Sequence, residues 1–387
     1  MPTRLSAREL LEKLVSFPTV SRDSNLDLVQ WVEGYLADWG VTSTRVYNPE
    51  GNKAALYANV GPEVEGGVVL SGHTDVVPVD GQAWDSDPFT VVERDGRLFG
   101  RGVCDMKGFD ALALWAVPLA IEAGVKRPLQ IALSYDEELG CIGAPPMIDE
   151  MVKHLPKAAA VVVGEPSMMK VVSGHKGGFG FHTHVQGFEV HSSILHTGVS
   201  AIMEAAKLID WANAKNAESA AATPSPLAEA FVPPYTTAHV GTIQGGTANN
   251  ITAKDCRFSM DFRLVPGDDR TTWEAAYRDI VAKVEAGMKA IRPEAAITLN
   301  LRMGIPPLKP EADGAAERLA RQLTGDNAPN VVSYGTEAGQ FQQRGYSAIV
   351  CGPGDIAQAH QPNEFLDLSQ LAAGEDFMRK LVAHLAA

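Results

Sequence analysis

Apolar and polar residues follow two kinds of pattern along this chain, and each kind predicts a different element. Short apolar runs that stop at glycine, proline or acidic turns predict buried strands, whereas apolar residues spaced three and four positions apart predict helices. In the first part of the chain, strands are predicted over residues 42–47, 54–60, 68–70, 129–134 and 159–163. Helices are predicted between Ser6 and Pro18 and over residues 25–39 and 109–122. This alternation indicates an α/β sheet with parallel strands.

The pattern changes near residue 177, after which strands and helices occur in the order βαββαβ. The predicted strands are residues 179–186, 239–244, 255–264 and 296–301, and the predicted helices are residues 200–213 and 271–290. An Ala- and Pro-rich stretch, residues 214–234, is predicted to be a surface excursion. The βαββαβ order is that of a small ferredoxin-like α+β domain.

The first pattern resumes after residue 304, with a helix over 312–323, a strand over 348–350 and a C-terminal helix over 368–385. The sequence therefore predicts two domains. Residues 1–174 and 305–387 form an α/β domain with a mixed, mostly parallel sheet flanked by helices. Residues 175–304 form the ferredoxin-like α+β domain that interrupts it.

Composition and charge narrow the functional classes. The 387 residues carry a formal net charge of −14, which argues against nucleic acid as a partner because its phosphates require basic patches. No apolar run approaches the roughly 20 residues needed to span a bilayer, so no membrane partner is expected. The four cysteines are scattered, and the first residues lack the apolar region of a signal peptide. These features predict a reduced, cytoplasmic protein.

One stretch, residues 70–78, carries the first candidate chemistry. A predicted buried strand ends there at a small-residue turn that presents His73 and Asp75, two positions apart. In this arrangement the imidazole can bind a metal ion while the carboxylate orients the ring from behind. A buried histidine bonded to an aspartate is also a common structural feature, so a metal site requires further ligands elsewhere in the chain.

Five acidic or imidazole groups stand at the ends of predicted core elements: His73, Asp105, Glu138, Glu165 and His360. Ligands gather outside the carboxyl ends of the strands in open α/β sheets, so we expect these side chains to converge. Two histidines and three carboxylates suit a pair of divalent metals such as zinc, with Asp105 as the bridge. Glu137, next to Glu138, is then available to move a proton from water to a leaving amine.

Five segments of the chain resemble the co-catalytic dizinc deacylases and exopeptidases. This family includes acetylornithine deacetylase, succinyl-diaminopimelate desuccinylase, aminoacylase and glutamate carboxypeptidase. The segments occur in the family's order and are residues 71–78, 100–108, 136–140, 164–167 and 358–364. The resemblance covers nearly the whole chain, including the inserted domain, which implies that this domain mediates dimerisation. It also implies a hydrolase of linear amides that uses two metal ions, zinc or cobalt, and forms a homodimer.

The resemblance implies a ligand set for each metal ion. The sets are His73, Asp105 and Glu165 for one zinc, and Asp105, Glu138 and His360 for the other. Glu137 matches the family's general acid/base, and Asp75 matches the acid behind the first histidine.

The inserted domain also resembles the family. Residues 187–193 look like its Gly-x-x-x-His-Ser-Ser loop, which implies that His191 helps to hold the developing oxyanion. The nearby His196 competes for this role. Arg263 lies in a segment that resembles the family's substrate-carboxylate region, and its guanidinium is suited to bidentate binding of a carboxylate, with Asn250 as a helper.

Within the family, residues 334–338 and 351–364 look most like the acetylornithine deacetylases. This implies removal of the acetyl group from N-acetyl-L-ornithine, a small-molecule substrate, to give L-ornithine and acetate in arginine biosynthesis. Glu337 is then expected near the side-chain ammonium of the substrate. Other N-acyl amino acids and dipeptides stay open as substrates, because the desuccinylases, aminoacylases and dipeptidases share the metal residues and differ in the pocket. A catalytically silent metal-binding relative is the alternative outside enzymes, and the intact Glu137 and His191 argue against it.

Overall fold

The computed structural model describes residues 2–387 and divides them into two compact units. The large unit comprises the chain up to Gly174 together with Pro310–Val331 and Thr336–Ala387. The small unit comprises His175–Lys309 and Val332–Gly335. The sequence analysis placed the inserted domain at residues 175–304, so the observed return to the large unit comes slightly later in the chain.

The described residues form nine α-helices: the seven predicted ones and two, Ala144–His154 and Ala338–Gln343, that the sequence analysis did not predict. They are α1 (Ala7–Val15), α2 (Leu26–Asp38), α3 (Lys107–Ala123), α4 (Ala144–His154), α5 (Ala201–Ala221), α6 (Arg270–Ile291), α7 (Ala315–Thr324), α8 (Ala338–Gln343) and α9 (Leu368–Ala386). The prediction of a surface excursion from residue 214 was wrong for its first part, because α5 continues to Ala221. That stretch is rich in good helix formers and meets no proline before Pro224.

The strands of residues 2–387 form three sheets. They are β1 (Ser43–Tyr47), β2 (Ala54–Val60), β3 (Val68–His73), β4 (Val92–Arg94), β5 (Arg97–Phe99), β6 (Leu129–Ser134), β7 (Ala160–Pro166), β8 (Val172–His175), β9 (Gly177–Gln186), β10 (Thr237–Gly245), β11 (Asp255–Leu264), β12 (Ala296–Ile305), β13 (Asn330–Val332), β14 (Ala348–Gly352) and β15 (Phe365–Asp367). The sheet orders are β1-β2-β6-β3-β7-β14-β8-β13, β10-β11-β9-β12 and β15-β5-β4.

The eight-stranded sheet is parallel at its centre and antiparallel towards its edges. β3 pairs in parallel with β6 and β7, and β14 pairs in parallel with β7. β1 with β2, β2 with β6, and β14 with β8 are antiparallel. Every residue of β3 and β7 is buried, and because successive side chains point to opposite faces, both faces of these strands are covered. The predicted α/β fold with a mixed, mostly parallel sheet is confirmed.

The small unit has the predicted ferredoxin-like order. All three strand pairs of its sheet are antiparallel. Its core contains aromatic side chains from β9, β11 and the two helices, among them Phe181, Phe262 and Tyr277. Phe181 and Phe262 each lie close to the Tyr277 ring, with centroid separations of 5.3 and 5.8 Å. This packing joins α6 to the sheet.

No helix among the residues that the structure describes is both long and apolar enough to cross a membrane.

Candidate metal centre

The structure brings the five predicted metal ligands together at the carboxyl edge of the parallel strands of the large unit. His73 is the last residue of β3, and Glu165 is the penultimate residue of β7. Glu138 lies in the turn after β6, Asp105 precedes α3, and His360 lies between β14 and β15. β3 and β7 therefore extend to include their ligands, whereas the predicted strands stopped just before them. His360 is the most exposed member, with 52% of its side chain accessible.

Asp105 faces both histidines. Its Oδ1 lies 3.2 Å from His73 Nε2, and its Oδ2 lies 3.3 Å from His360 Nε2. Glu165 Oε1 lies 3.8 Å from His73 Nε2, and Glu138 Oε1 lies 3.1 Å from His360 Nε2. The two oxygens of one carboxylate thus face two groups of side chains, each with a histidine and a further carboxylate. This arrangement suits a carboxylate that bridges two metal ions.

The separations between these atoms fit metal-bound ligands. Two ligand atoms that are each about 2.1 Å from a tetrahedral zinc ion lie about 3.4 Å apart. The shortest and longest of the four separations, 3.1 and 3.8 Å, lie on either side of that value. Imidazole and carboxylate donors also suit zinc and similar divalent metals. The residues present therefore fit two metal ions, and the sets that would hold them are His73, Asp105 and Glu165, and Asp105, Glu138 and His360.

The protonation of these groups is a second argument for cations at this place. Hydrogen bonds to Asp105 and Glu138 raise the pKa of His360 to about 10. Burial lowers the pKa of His73, but hydrogen bonds to two aspartates and nearby negative charges raise it well above its usual value. Burial and neighbouring carboxylates raise the pKa of Glu165 well above its usual value. Each shift favours the protonated form because the site concentrates negative charge, which two divalent cations would neutralise.

Glu137 lies close to the same group. A carboxylate oxygen of Glu137 and ligand atoms of His73 and Glu165 all lie within 4.8 Å of one another, so distance alone would also allow Glu137 to bind a metal. Its Oε1, however, accepts a hydrogen bond from Cys141 Sγ at 3.1 Å. Burial, together with the charge of Glu138, raises the pKa of Glu137 to about 8. A carboxyl group that exchanges its proton near neutral pH suits proton transfer better than permanent metal binding.

Asp75 contacts both His73 and the Glu137 turn. Nδ1 of His73 lies 2.9 Å from the backbone oxygen of Asp75 and 3.5 Å from its Oδ1. The backbone N–H groups of Glu137 and Glu138 donate to the Asp75 carboxylate at 3.1 and 3.4 Å, and Ser21 Oγ donates to it at 2.7 Å. Asp75 therefore holds the histidine ring and the turn that carries Glu137. The sequence analysis foresaw only the contact with the histidine.

Glu337 lies in a different environment from the one expected of a substrate contact. It is 1% exposed and directly precedes α8. Its two carboxylate oxygens accept hydrogen bonds from Ser71 Oγ, at 3.3 Å, and from Ser134 Oγ. Burial raises its pKa to about 7. The structure thus shows Glu337 buried and bonded to two serines, and its place near the substrate ammonium stays a prediction.

The predicted His191, Asn250 and Arg263 belong to the small unit. His191 is exposed, and its Nδ1 accepts a hydrogen bond from the backbone N–H of Ser193 at 3.2 Å, which leaves the proton on Nε2 when the ring is neutral. The backbone oxygen of Asn250 accepts from the N–H of Ser192 at 2.8 Å, so the Asn250 and His191 segments are adjacent. Arg263 is half-exposed at the end of β11, where its Nε donates to Asp261 Oδ2 at 3.0 Å.

Sequence reasoning missed three residues that contact predicted site residues, Gln82, Cys141 and Glu364, and it missed Arg101, which bonds to Gln82 and Glu364. Arg101 and Glu364 stand inside segments that carry the family resemblance, but nothing in the local pattern pairs them. The sequence feature that could have drawn attention to this pair is Arg101, a cation between two glycines and four residues before Asp105.

Comparison with known proteins gives a consistent result. Residues 69–384 match the model of peptidase family M20/M25/M40. The acetylornithine deacetylase of Myxococcus xanthus is 35% identical over 392 aligned positions, and that of Salmonella arizonae is 32% identical over 399, each alignment covering 97% of both chains. The M20 family metallo-carboxypeptidase Sso-CP2 of Sulfolobus solfataricus shares the fold, with a TM-score of 0.81 at 16% identity over 99% of each chain. The chain therefore belongs to peptidase family M20/M25/M40 and is a hydrolase that acts on amide bonds.

Proposed function

We propose that this protein is a two-metal deacylase that removes the acetyl group from N-acetyl-L-ornithine and releases L-ornithine and acetate. The observation that carries the proposal is the position of Asp105 between His73 and His360, with one carboxylate oxygen towards each ring. A second histidine and a shared carboxylate distinguish this arrangement from a buried His–Asp pair of purely structural use.

The residues of the large unit divide the chemistry between them. When bound, two divalent ions would polarise the amide carbonyl and make a water molecule more acidic. Glu137 takes a proton from the water that attacks the carbonyl carbon and gives a proton to the amine nitrogen as the C–N bond breaks. Asp75 keeps the His73 ring and the Glu137 backbone in place during these transfers.

The residues of the small unit act on the substrate. His191 donates from Nε2 to the oxyanion that forms when water adds to the amide. Arg263 and Asn250 hold the substrate carboxylate. Nε of Arg263 is already bonded to Asp261, and its two terminal nitrogens have no hydrogen-bond partner among the described residues, so both are available to a carboxylate.

The choice of acetylornithine rests on the relatives. The Myxococcus xanthus and Salmonella arizonae proteins named as acetylornithine deacetylases align over 97% of this chain. An enzyme that produces ornithine would act in arginine biosynthesis. We expect it to be cytoplasmic and to use zinc or cobalt as its two metal ions.

A hydrolysis panel tests this proposal. Metal-free protein is supplied with two equivalents of zinc or cobalt and offered N-acetylornithine, succinyl-diaminopimelate, N-acetylmethionine and a dipeptide. We expect the highest kcat/KM for N-acetylornithine. A higher kcat/KM for the succinyl substrate, the acetylmethionine or the dipeptide would contradict N-acetylornithine as the substrate. It would still support a two-metal amide hydrolase. Two bound metals with no turnover of any of the four would favour the catalytically silent alternative.

The small unit is also proposed to pair two copies of the chain. Ile194, Leu195, Ile202, Met203 and Ile243 each expose between 41% and 57% of their surface, although large apolar residues are usually buried. Ile202 lies near the end of β10, since a Cβ at Gly245 would meet it at 3.0 Å. We expect a homodimer by light scattering, and Ile202→Asp with Met203→Asp should convert it to a monomer. A wild-type monomer would contradict this assignment.

A further inference from the structure

Arg101 and Glu364 form an ion pair in the interior of the large unit. Arg101 Nη1 donates to Glu364 Oε2 at 2.6 Å, and each side chain is only 1% exposed. Neither residue belongs to the groups of side chains that fit the two metal ions. A fully buried ion pair is costly to desolvate and adds little stability compared with apolar side chains. The contribution of this pair is therefore sought in the backbone segments that it holds in place.

Glu364 connects the pair to Asp105. Its second oxygen, Oε1, accepts hydrogen bonds from the backbone N–H groups of Cys104 at 2.9 Å and Asp105 at 3.1 Å. The carboxylate thus anchors the backbone of the segment from which Asp105 faces both histidines. Glu364 acts on the main chain and leaves the Asp105 side chain to its ligand role.

Arg101 connects the pair to His360. Its Nη2 donates to Gln82 Oε1 at 2.6 Å, and Gln82 Nε2 donates to the backbone oxygen of His360 at 3.0 Å. Arg101 Nη1 also lies 3.4 Å from the backbone oxygen of Gln361. The indole of Trp84 covers the guanidinium, with 5.1 Å between its ring centroid and Arg101 Cζ.

His360 needs such support. Its φ angle is +63°, a left-handed conformation that residues with a side chain rarely adopt. Half of its side chain is exposed, and it lies in a loop between β14 and β15. An exposed loop residue with this backbone returns to a commoner conformation unless its surroundings hold it.

We propose that Arg101 and Glu364 are positioning residues that hold Asp105 and His360 at the separation required by the second metal ion. The pair joins two backbone segments that lie far apart in the sequence, through Glu364 on one side and through Arg101 and Gln82 on the other. This inference rests on the proposed two-metal site and predicts a selective effect. Loss of the connection through Arg101 and Gln82 weakens the metal bound by Asp105, Glu138 and His360 and spares the metal bound by His73, Asp105 and Glu165. Loss of the Glu364 connection weakens both metals, because both share Asp105.

Two double variants test the Glu364 connection without leaving a buried charge unpaired. Arg101→Met/Glu364→Gln keeps an acceptor for the Asp105 N–H, and Arg101→Met/Glu364→Leu removes it. Metal-free protein is titrated with Co²⁺, and the visible absorption of each bound ion and the total metal content are measured. We expect the leucine variant to bind Co²⁺ at least about ten-fold more weakly than the glutamine variant, and we expect this for both ions, because Asp105 is a proposed ligand of each. Equal affinities in the leucine and glutamine variants would overturn the role of Glu364.

A half-buried residue tests the His360 connection without risk to the core. Gln82→Met removes the hydrogen bonds with Arg101, with the His360 backbone and with Trp84 Nε1, and it changes no charge. We expect the second Co²⁺ affinity to fall about five-fold or more, as for the loss of one to two hydrogen bonds. Gln361→Met, in the loop that carries His360, is the matched control. Gln361 contacts Arg101 only through its backbone oxygen, so this variant should bind both ions as the wild type does.

The test separates this inference from the proposed function. A wild type that binds two Co²⁺ ions but hydrolyses no amide would contradict the function and leave the positioning role to be decided by the variants. A wild type that binds a single ion would overturn the positioning role together with the second metal position. Unchanged second-ion affinity in Gln82→Met would overturn the connection to His360.

Discussion

The backbone N–H of Glu137 donates a hydrogen bond to Asp75 Oδ1 at 3.1 Å. The same oxygen lies 3.5 Å from Nδ1 of His73. One carboxylate therefore supports both a proposed metal ligand and the proposed proton-transfer group. His73 and Glu137 must keep a fixed separation while a water molecule is activated between them. We therefore expect Asp75 to position Glu137 as well as to orient the His73 ring.

This double contact predicts a catalytic cost for Asp75→Asn. The asparagine keeps one oxygen acceptor, but its NH₂ group cannot accept the remaining N–H and O–H donors. We expect kcat to fall about 10–100-fold, with two metal ions still bound. Ser21→Ala, which removes one hydrogen bond to Asp75, is the control and should reduce kcat by no more than about five-fold. An Asp75→Asn enzyme with wild-type kcat would contradict this role.

Substitution of Cys141 is expected to lower kcat by a smaller factor, through the loss of its hydrogen bond to Glu137. Burial raises the pKa of Cys141 well above its usual value, so its thiol keeps the proton that it donates to Glu137 Oε1. Cys141→Ala removes this donor, and we expect kcat to fall about five-fold with metal content unchanged. Cys141→Ser retains a donor and should stay within two-fold of wild type on the scale of one weak hydrogen bond, about 0.5 kcal/mol. Cys256→Ala, a buried thiol of the small unit, is the control, and equal rates for the alanine and serine variants would rule out this contact.

Substitution of Glu337 distinguishes a buried structural role for this residue from contact with the substrate ammonium. If it contacted the substrate ammonium, Glu337→Gln would raise KM for N-acetylornithine and spare N-acetylmethionine. Because it is enclosed and bonded to Ser71 and Ser134, we expect the same change in kcat/KM for both substrates. The free energy of unfolding should fall by about 1–3 kcal/mol in chemical denaturation. A selective loss of acetylornithine binding would restore the substrate role.

The histidines predict how metal binding depends on pH. Hydrogen bonds to Asp105 and Glu138 raise the pKa of His360 to about 10, so the metal-free protein carries this proton throughout the neutral range. A metal ion must displace it, and binding therefore weakens as pH falls. We expect the affinity for the second ion to drop about ten-fold per pH unit from pH 8 to 6, the consequence of releasing one proton. Calorimetry in buffers of different ionisation enthalpy measures that proton, and pH-independent affinity would contradict the assignment.

The sequence was sufficient to predict that the proposed ligands converge, because their positions follow a simple rule of the fold. Apolar runs mark the parallel strands, and residues such as His73 and Glu165 stand where those runs stop. In a parallel sheet these ends share one edge, so convergence follows from the strand directions. The ligand positions therefore depend on features that are local in the sequence.

The supporting residues could not be predicted in the same way. Arg101 and Glu364 are separated by 263 positions, and nothing in either segment by itself pairs them. The hydrogen bonds of Glu337 could not be predicted either, because its segment contains neither of its partners. Those partners, Ser71 and Ser134, come from two neighbouring strands. Both cases depend on tertiary pairing, which the local pattern of the chain does not contain.

Glu137→Gln tests the central claim most directly, because it separates the proposed proton-transfer role from metal binding. Metal content and hydrolysis of N-acetylornithine are measured for wild type and variant supplied with two equivalents of zinc. We predict that both proteins bind two zinc ions and that the variant loses about 10²–10⁴-fold in kcat, since an amide cannot accept the proton. A variant that turns over at the wild-type rate, or one that loses a zinc ion, would contradict the account.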